Sequence, residues 1–252
     1  MHLLRTFERT WSGSEVAIHQ VGSSTRQMFV LGGLSAEGRS IADSPMRQMV
    51  EAAARHGVRG TILDLPGTGG SRYQGALTMD VWLRDIEHVY RARAGGESIW
   101  VGSSLGAWLM LLVHRRHPEW FVSMCALAPA IDWDREFLTP GFATDTVQRA
   151  LGDVTFGEAT LPDSLFDSMK FHRILGAAFT IGVPLHIIQG DRDAQALLEV
   201  SQRLARHIGG SAVTLERLGD DDHGVAKLAT KASQVSFERW LYGQVVGVVA
   251  QA

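Results

Sequence analysis

The sequence predicts an α/β fold, a mostly parallel sheet with helices on both faces. Three observations carry this. Short runs that are apolar almost throughout, such as Gln27 to Leu31 and Phe121 to Ala128, fit strands buried on both faces. Stretches with apolar residues at helical spacing lie between them, and strand-helix alternation calls for parallel pairing through crossovers. Glycines and prolines gather at the joins, as in Gly32-Gly33, Gly57 and Pro66-Gly67.

In order along the chain, Glu15 to Val21 alternates partly, as an edge hairpin strand does. Gln27 to Leu31 is the first buried strand and runs into Gly32-Gly33-Leu34-Ser35. Met46 to His56 has apolar residues at Met46, Met49, Val50 and Ala53, one face of a helix that Gly57 stops. Val58 to Leu65 is a strand, and Pro66-Gly67-Thr68-Gly69-Gly70-Ser71 is a loop by composition. Met79 to Arg93 is helical, with Val81, Ile86, Val89 and Tyr90 as its buried stripe. Glu97 to Val101 is a strand, Ser104 to His117 a helix and Phe121 to Ala128 a strand. The alternation lapses from Pro129 to about Ile181, where short helices are expected, for example over Asp163 to Leu175. It resumes with a strand at Val183 to Ile188, a helix at Ala194 to Ile208, a strand at Ala212 to Leu218 and a closing helix at Thr230 to Val245. The 252 residues therefore read as one domain, 1–252, with an insertion at about 131–181.

Composition excludes several classes. Lys plus Arg total 24 and Asp plus Glu 27, a net charge of −3 with no basic stripe, so nucleic acid is not an expected partner. No apolar run approaches the ~20 residues that span a bilayer. Met1 to Trp11 lacks the features of a signal peptide, so a soluble cytoplasmic protein is expected. The single cysteine, Cys125, lies in an apolar run and reads as a small core residue. The loop at Pro66 to Ser71 lacks the Gly-Lys-Ser/Thr ending of a phosphate loop, and no HExxH or comparable metal spacing occurs.

The chemistry centres on Gly102-Ser103-Ser104-Leu105-Gly106, between a strand and a helix. A serine at the tip of so sharp a turn needs nearly side-chain-free residues two before and two after it, the nucleophile-elbow pattern. Ser104 is flanked in this way; Ser103 has Val101 and Leu105 in those positions. A serine hydroxyl needs a base, and the base a partner that fixes its tautomer. Of ten histidines, most sit at helix ends, inside strands or near the chain start. His223, in Gly219-Asp220-Asp221-Asp222-His223-Gly224, follows the last strand and belongs at the same sheet edge as Ser104. The acid is expected after the strand at Val183 to Ile188. Spacing favours Asp193, with Asp191 as the alternative and Asp132, at the end of an earlier strand, as a weaker rival. One aspartate of the pair is also expected to cap the following helix. The three aspartates before His223 read either as a solvated loop or as a field that favours the imidazolium.

Four stretches make the chain resemble the α/β-hydrolase superfamily: Leu31-Gly32-Gly33-Leu34, Asp64 to Ser71, Val101 to Gly106, and Gly190-Asp191-Arg192-Asp193 with Asp222-His223-Gly224. Within it, the run from Val101 and the Asp-Asp-His ending are similar to a small-capped group of acyl-glucuronide esterases and protein depalmitoylases. The resemblance implies an α/β-hydrolase fold with a small helical cap and a serine esterase or thioesterase acting on a small-molecule ester or thioester. It needs no metal or organic cofactor. It also implies an oxyanion hole from the backbone N–H groups of Leu34 and Leu105, with Gly32 where the superfamily often has histidine. Six of the ten phenylalanines, Phe137, Phe142, Phe156, Phe166, Phe171 and Phe179, lie in the insertion and suggest a lid or a wall for a hydrophobic acyl group. The same three residues would also serve C–C bond or amide cleavage or acyl transfer, and the fold also admits a non-catalytic binding module. Oligomeric state and natural substrate are not encoded in any of these features.

Overall fold

The computed structural model describes residues 2–34, 40–94, 96–133, 147–150, 153–156, 159–176, 178–210 and 213–249. In chain order, strands β1 (Leu3–Arg9), β2 (Glu15–Val21) and β3 (Gln27–Leu31) precede helix α1 (Arg47–Arg55) and β4 (Arg59–Leu63). Helix α2 (Met79–Arg93), β5 (Ser98–Ser103), α3 (Leu105–Arg116) and β6 (Phe121–Leu127) follow. After them come β7 (Val147–Ala150), β8 (Asp153–Phe156), β9 (Ala159–Leu161), α4 (Asp163–Met169) and β10 (Thr180–Ile181). The chain closes with β11 (Leu185–Gly190), α5 (Leu198–His207), β12 (Gly209–Gly210), β13 (Val213–Leu218) and α6 (Lys231–Val249).

Eight strands form one sheet in the order β1-β2-β4-β3-β5-β6-β11-β13. Only the β1–β2 and β2–β4 pairs are antiparallel; from β4 to β13 every pair is parallel. This is the α/β-hydrolase fold. β3 and β5 are buried along their whole length, as strands covered on both faces must be. On one side α1 meets α6 through Arg55–Glu238 and the His56–Tyr242 ring contact. On the other, α3 meets α2 through Arg116 with Asp80 and Glu87. Parallel pairing has one consequence for chemistry: the loops after β3, β5, β6, β11 and β13 all emerge at the same edge.

The structure differs from the sequence expectation at four places. The edge strand is β1, outside β2; its residues are partly or fully exposed and carry charges, so no apolar run announces it. Helix α5 begins at Leu198 and not Ala194: Asp193 caps a turn through Gln195 and Ala196 N–H, but Gln189 Nε2 takes the Ala196 carbonyl that a helix would offer to Val200, whose N–H goes to Leu197 O instead. Helix α4 ends at Met169, short of Leu175, and a 3-10 turn over Lys170–His172 follows. The Asp132 carboxylate binds the N–H groups of Ile174 and Leu175, which a continuing helix would use.

The segment between β6 and β10 is also not purely helical. β7, β8 and β9 form a three-stranded antiparallel sheet. Val147, Val154, Thr155 and Thr160 favour strands, and the two-residue connections each contain a glycine, Gly152 or Gly157. Phe166 is buried against Trp133 and Phe179 is buried beside His114, whereas Phe171 is 74 % exposed. Phe137 and Phe142 lie outside the described residues, and so does the side chain of Phe156.

Candidate active site

The turn from β5 to α3 explains its own glycines. A Cβ at Gly102 would lie 2.4 Å from Ala107 Cα, and one at Gly106 would lie 2.1 Å from the Leu31 carbonyl oxygen. No side chain fits either gap, so strand and helix can meet at this angle only with glycine at both positions. Ser104, at the tip, holds φ 51° and ψ −122°, a conformation that costs on the order of 1–3 kcal/mol outside glycine. Two backbone hydrogen bonds to the β6 side sustain it: Ser104 N–H donates to Leu127 O (2.9 Å), and Ala130 N–H donates to Ser104 O (3.1 Å). Ser103 is fully buried and donates to Ala226 O at 2.6 Å, so it faces away from the site.

Ser104 Oγ stands 3.1 Å from His223 Nε2, and His223 Nδ1 stands 2.8 Å from Asp193 Oδ2. A carboxylate only accepts, so Nδ1 carries the proton and donates to Asp193. Nε2 of the neutral ring is then the acceptor for the serine hydroxyl. Residues 104, 193 and 223 come together from the ends of β5, β11 and β13. His223 opens a 3-10 turn whose cap is Asp222, Oδ1 accepting from Gly224 N–H at 2.7 Å.

Asp193 is held from every side. Its Oδ1 accepts from Gln195 and Ala196 N–H, both at 2.8 Å, and its Oδ2 accepts from Gln189 Nε2 at 3.1 Å as well as from His223. It therefore caps the turn before α5 and orients the imidazole at the same time. Gln189 is fully buried and is itself locked: Nε2 also donates to Ala196 O, and Oε1 accepts from Ser201 Oγ at 2.8 Å. Sequence reasoning missed Gln189, although a lone amide in the run Leu185-His186-Ile187-Ile188-Gln189 is its signal. The acid and histidine loops touch at Gly190, where a Cβ would lie 2.4 Å from Asp221 O.

The rival acids have other partners. Asp191 makes a two-pronged ion pair with Arg217 (2.9 and 2.7 Å), whose hydrogen bonds hold its carboxyl below the usual range. Asp132, at φ 55°, binds Ile174 and Leu175 N–H at 2.7 and 2.8 Å. Of the acidic run before the histidine, Asp220 pairs with Arg192, Asp221 accepts from Thr230 Oγ1, and Asp222 caps. Each of the three thus has a partner of its own. His114 and His172 are buried, and burial lowers both below the ordinary imidazole range. His172 lies 3.3 Å from Asp80 on α2.

The Gly32-Gly33-Leu34 segment lies against the turn: a Cβ at Gly33 would be 2.7 Å from Ser104 Cβ and 3.2 Å from Ser104 Oγ. Among the described residues no acceptor takes the N–H of Leu34 or of Leu105. The arrangement presents a hydroxyl, a base with its proton on the far nitrogen, and the Gly33 backbone packed against the hydroxyl. No described helix is long and apolar enough to cross a membrane.

Residues 28–151 match a family model described as the alpha/beta hydrolase fold. A pimeloyl-[acyl-carrier protein] methyl ester esterase of Sodalis glossinidius is 33 % identical over 114 residues, 39 % of this chain and 43 % of that protein. The mitochondrial palmitoyl-protein thioesterase ABHD10 of Mus musculus is 27 % identical over 158 residues, 56 % of this chain and 52 % of that protein. The alignments thus cover about half the length of these curated relatives or less. The solved structure of alpha/beta hydrolase domain-containing protein 10 from mouse superposes with a TM-score of 0.80 at 19 % identity, covering 97 % of this chain and 99 % of that one.

Proposed function

We propose that this chain, which has the α/β-hydrolase fold, is a serine hydrolase that cleaves a carboxylic ester or thioester through an acyl-enzyme on Ser104. One observation carries this reading, the continuous hydrogen-bonded line Ser104–His223–Asp193. The hydroxyl attacks the carbonyl carbon while His223 Nε2 takes its proton. The Asp193 carboxylate stabilises the imidazolium that forms and keeps the ring in place. The carbonyl oxygen becomes an oxyanion, to which the N–H groups of Leu34 and Leu105 donate hydrogen bonds. A donor of this kind is worth on the order of 3 kcal/mol in related chemistry. His223 then protonates the leaving group, and water, activated by the same ring, releases the acid. In this reading the chain is one domain, and residues 131–181 form a cap beside Ser104 that contacts a hydrophobic acyl group.

The names of the relatives, one an esterase and one a thioesterase, support both leaving groups. The experiment is labelling with a fluorophosphonate probe together with hydrolysis of p-nitrophenyl esters and acyl thioesters. Ser104→Ala is expected to abolish labelling and to lower turnover by on the order of 10⁴-fold or more. A folded wild-type chain that neither labels nor hydrolyses any of these compounds overturns the proposal.

A further inference from the structure

The segment that follows β3 must place the Leu34 amide to within tenths of an ångström for it to meet an oxyanion, yet its own first residues are glycines with no side chain to anchor them. The support comes from elsewhere. A Cβ at Gly32 would lie 2.3 Å from Ile41 Cδ1 and 3.2 Å from both Cγ1 and Cγ2. The Ile41 side chain, 3 % exposed, thus occupies the space that a side chain at position 32 would fill. Ile41 is in turn fixed through its backbone: its N–H donates to Asp64 Oδ1 at 2.8 Å. Ser40 Oγ donates to the same oxygen at 3.1 Å, and Gly70 N–H donates to Asp64 Oδ2 at 2.7 Å. His19 Nε2 stands 3.2 Å from Ser40 Oγ and 3.6 Å from Asp64 Oδ2. Asp64 is wholly buried at the end of β4, and its own carbonyl accepts from Ser71 Oγ, which accepts from Ala17 N–H on β2.

A buried carboxylate that accepts three hydrogen bonds is a rigid point in the fold. From it a line of direct contacts runs through Ile41 to the Gly32 backbone, and from Gly33 to Ser104. We propose that Ile41 and Asp64 are positioning residues for the oxyanion loop: Asp64 fixes Ile41, and Ile41 sets the Gly32–Leu34 backbone against the nucleophile. The role rests on the hydrolase reading above. Neither residue touches the reacting atoms.

The test compares the wild type with Ile41→Val, Ile41→Ala, Asp64→Asn, Gly32→Ala and the double variant Gly32→Ala/Ile41→Val. Each is measured for kcat and KM on p-nitrophenyl butyrate, for the rate of fluorophosphonate labelling and for Tm. Ile41→Ala and Asp64→Asn are expected to lower kcat and the labelling rate together by about tenfold, with KM within about twofold. Gly32→Ala should do the same, and adding Ile41→Val should recover most of the loss, because the methyl group removed is the one in conflict. If Asp64→Asn does not fold, the Gly32/Ile41 pair carries the test. A fall in Tm with kcat and labelling rate unchanged in Ile41→Ala and Gly32→Ala makes the pair ordinary packing and overturns the proposal. A wild type that never labels sinks the hydrolase reading and the brace with it. A wild type that labels while every variant labels equally fast sinks the brace alone.

Discussion

Ser104 keeps a backbone conformation that few non-glycine residues adopt, and its neighbours show what sustains it. Gly106 is in contact with the end of β3, so Gly106→Ala should destabilise the fold by on the order of 3 kcal/mol, read as a lower midpoint in urea unfolding. A midpoint equal to wild type would show that the strand and helix have slack at this crossing. The two aspartates of the acid loop separate cleanly. Asp193→Asn should lower kcat by on the order of 10⁴-fold, since the ring loses the partner that sets its tautomer. Asp191→Asn, which breaks only a surface pair with Arg217, should leave kcat within about twofold. Reversed results would move the acid to Asp191. Asp64 supplies a pH dependence. Burial raises its carboxyl, but hydrogen bonds from His19, Gly70, Ile41 and Ser40 together outweigh that and hold it below the ordinary carboxylate value. Its contribution to stability is therefore fully present above that ordinary value and is lost as pH falls through the lowered one. The Tm gap between wild type and Asp64→Asn should be full near neutrality and should shrink in acid. A gap that stays constant down to pH 3 would exclude this linkage.

Among the elements, those with a strong repeating pattern formed where the pattern put them. β3, β4, β5, β6 and β11 are apolar runs, and α1, α2 and α3 carry striped or wholly apolar faces. The two shifted helix ends trace to side chains that take backbone groups away from a helix. Gln189, beside Asp193, takes the Ala196 carbonyl and delays α5, and Asp132 denies the chain after α4 a further turn. Neither effect has a periodic signature, because the side chain acts on backbone groups 7 or 42–43 residues away. Asp132 also joins the two roots of the segment between β6 and β10, where Ser168 Oγ, His172 and Trp108 add further ties to α2 and α3. Asp132→Ala should cost about 2–4 kcal/mol for two hydrogen bonds to a charged acceptor. It should also open residues 159–176 to limited proteolysis while the sheet of eight strands stays resistant. Uniform resistance of wild type and variant would show that the other ties suffice.

Across the whole molecule, one rim of a parallel sheet gathers loops that are distant in the chain; Ser104 and His223 alone are 119 residues apart. If the segment at 131–181 contacts the acyl group, hydrolysis should rise with acyl length across a p-nitrophenyl ester series from acetate to decanoate; a flat series would remove that role. The sequence by itself determined the sheet-and-helix alternation, the tight turn at Ser104 and the place of His223 after the last strand. Each of these is a local property: spacing of apolar residues, missing side chains at Gly102 and Gly106, or a unique histidine after the last strand. Only the tertiary structure put Asp193, and not Asp191 or Asp132, beside His223, revealed Gln189 behind Asp193, and set Ile41 against Gly32. Those choices depend on which donors and which volumes meet after distant segments pack. No single stretch of chain contains both halves of such a contact.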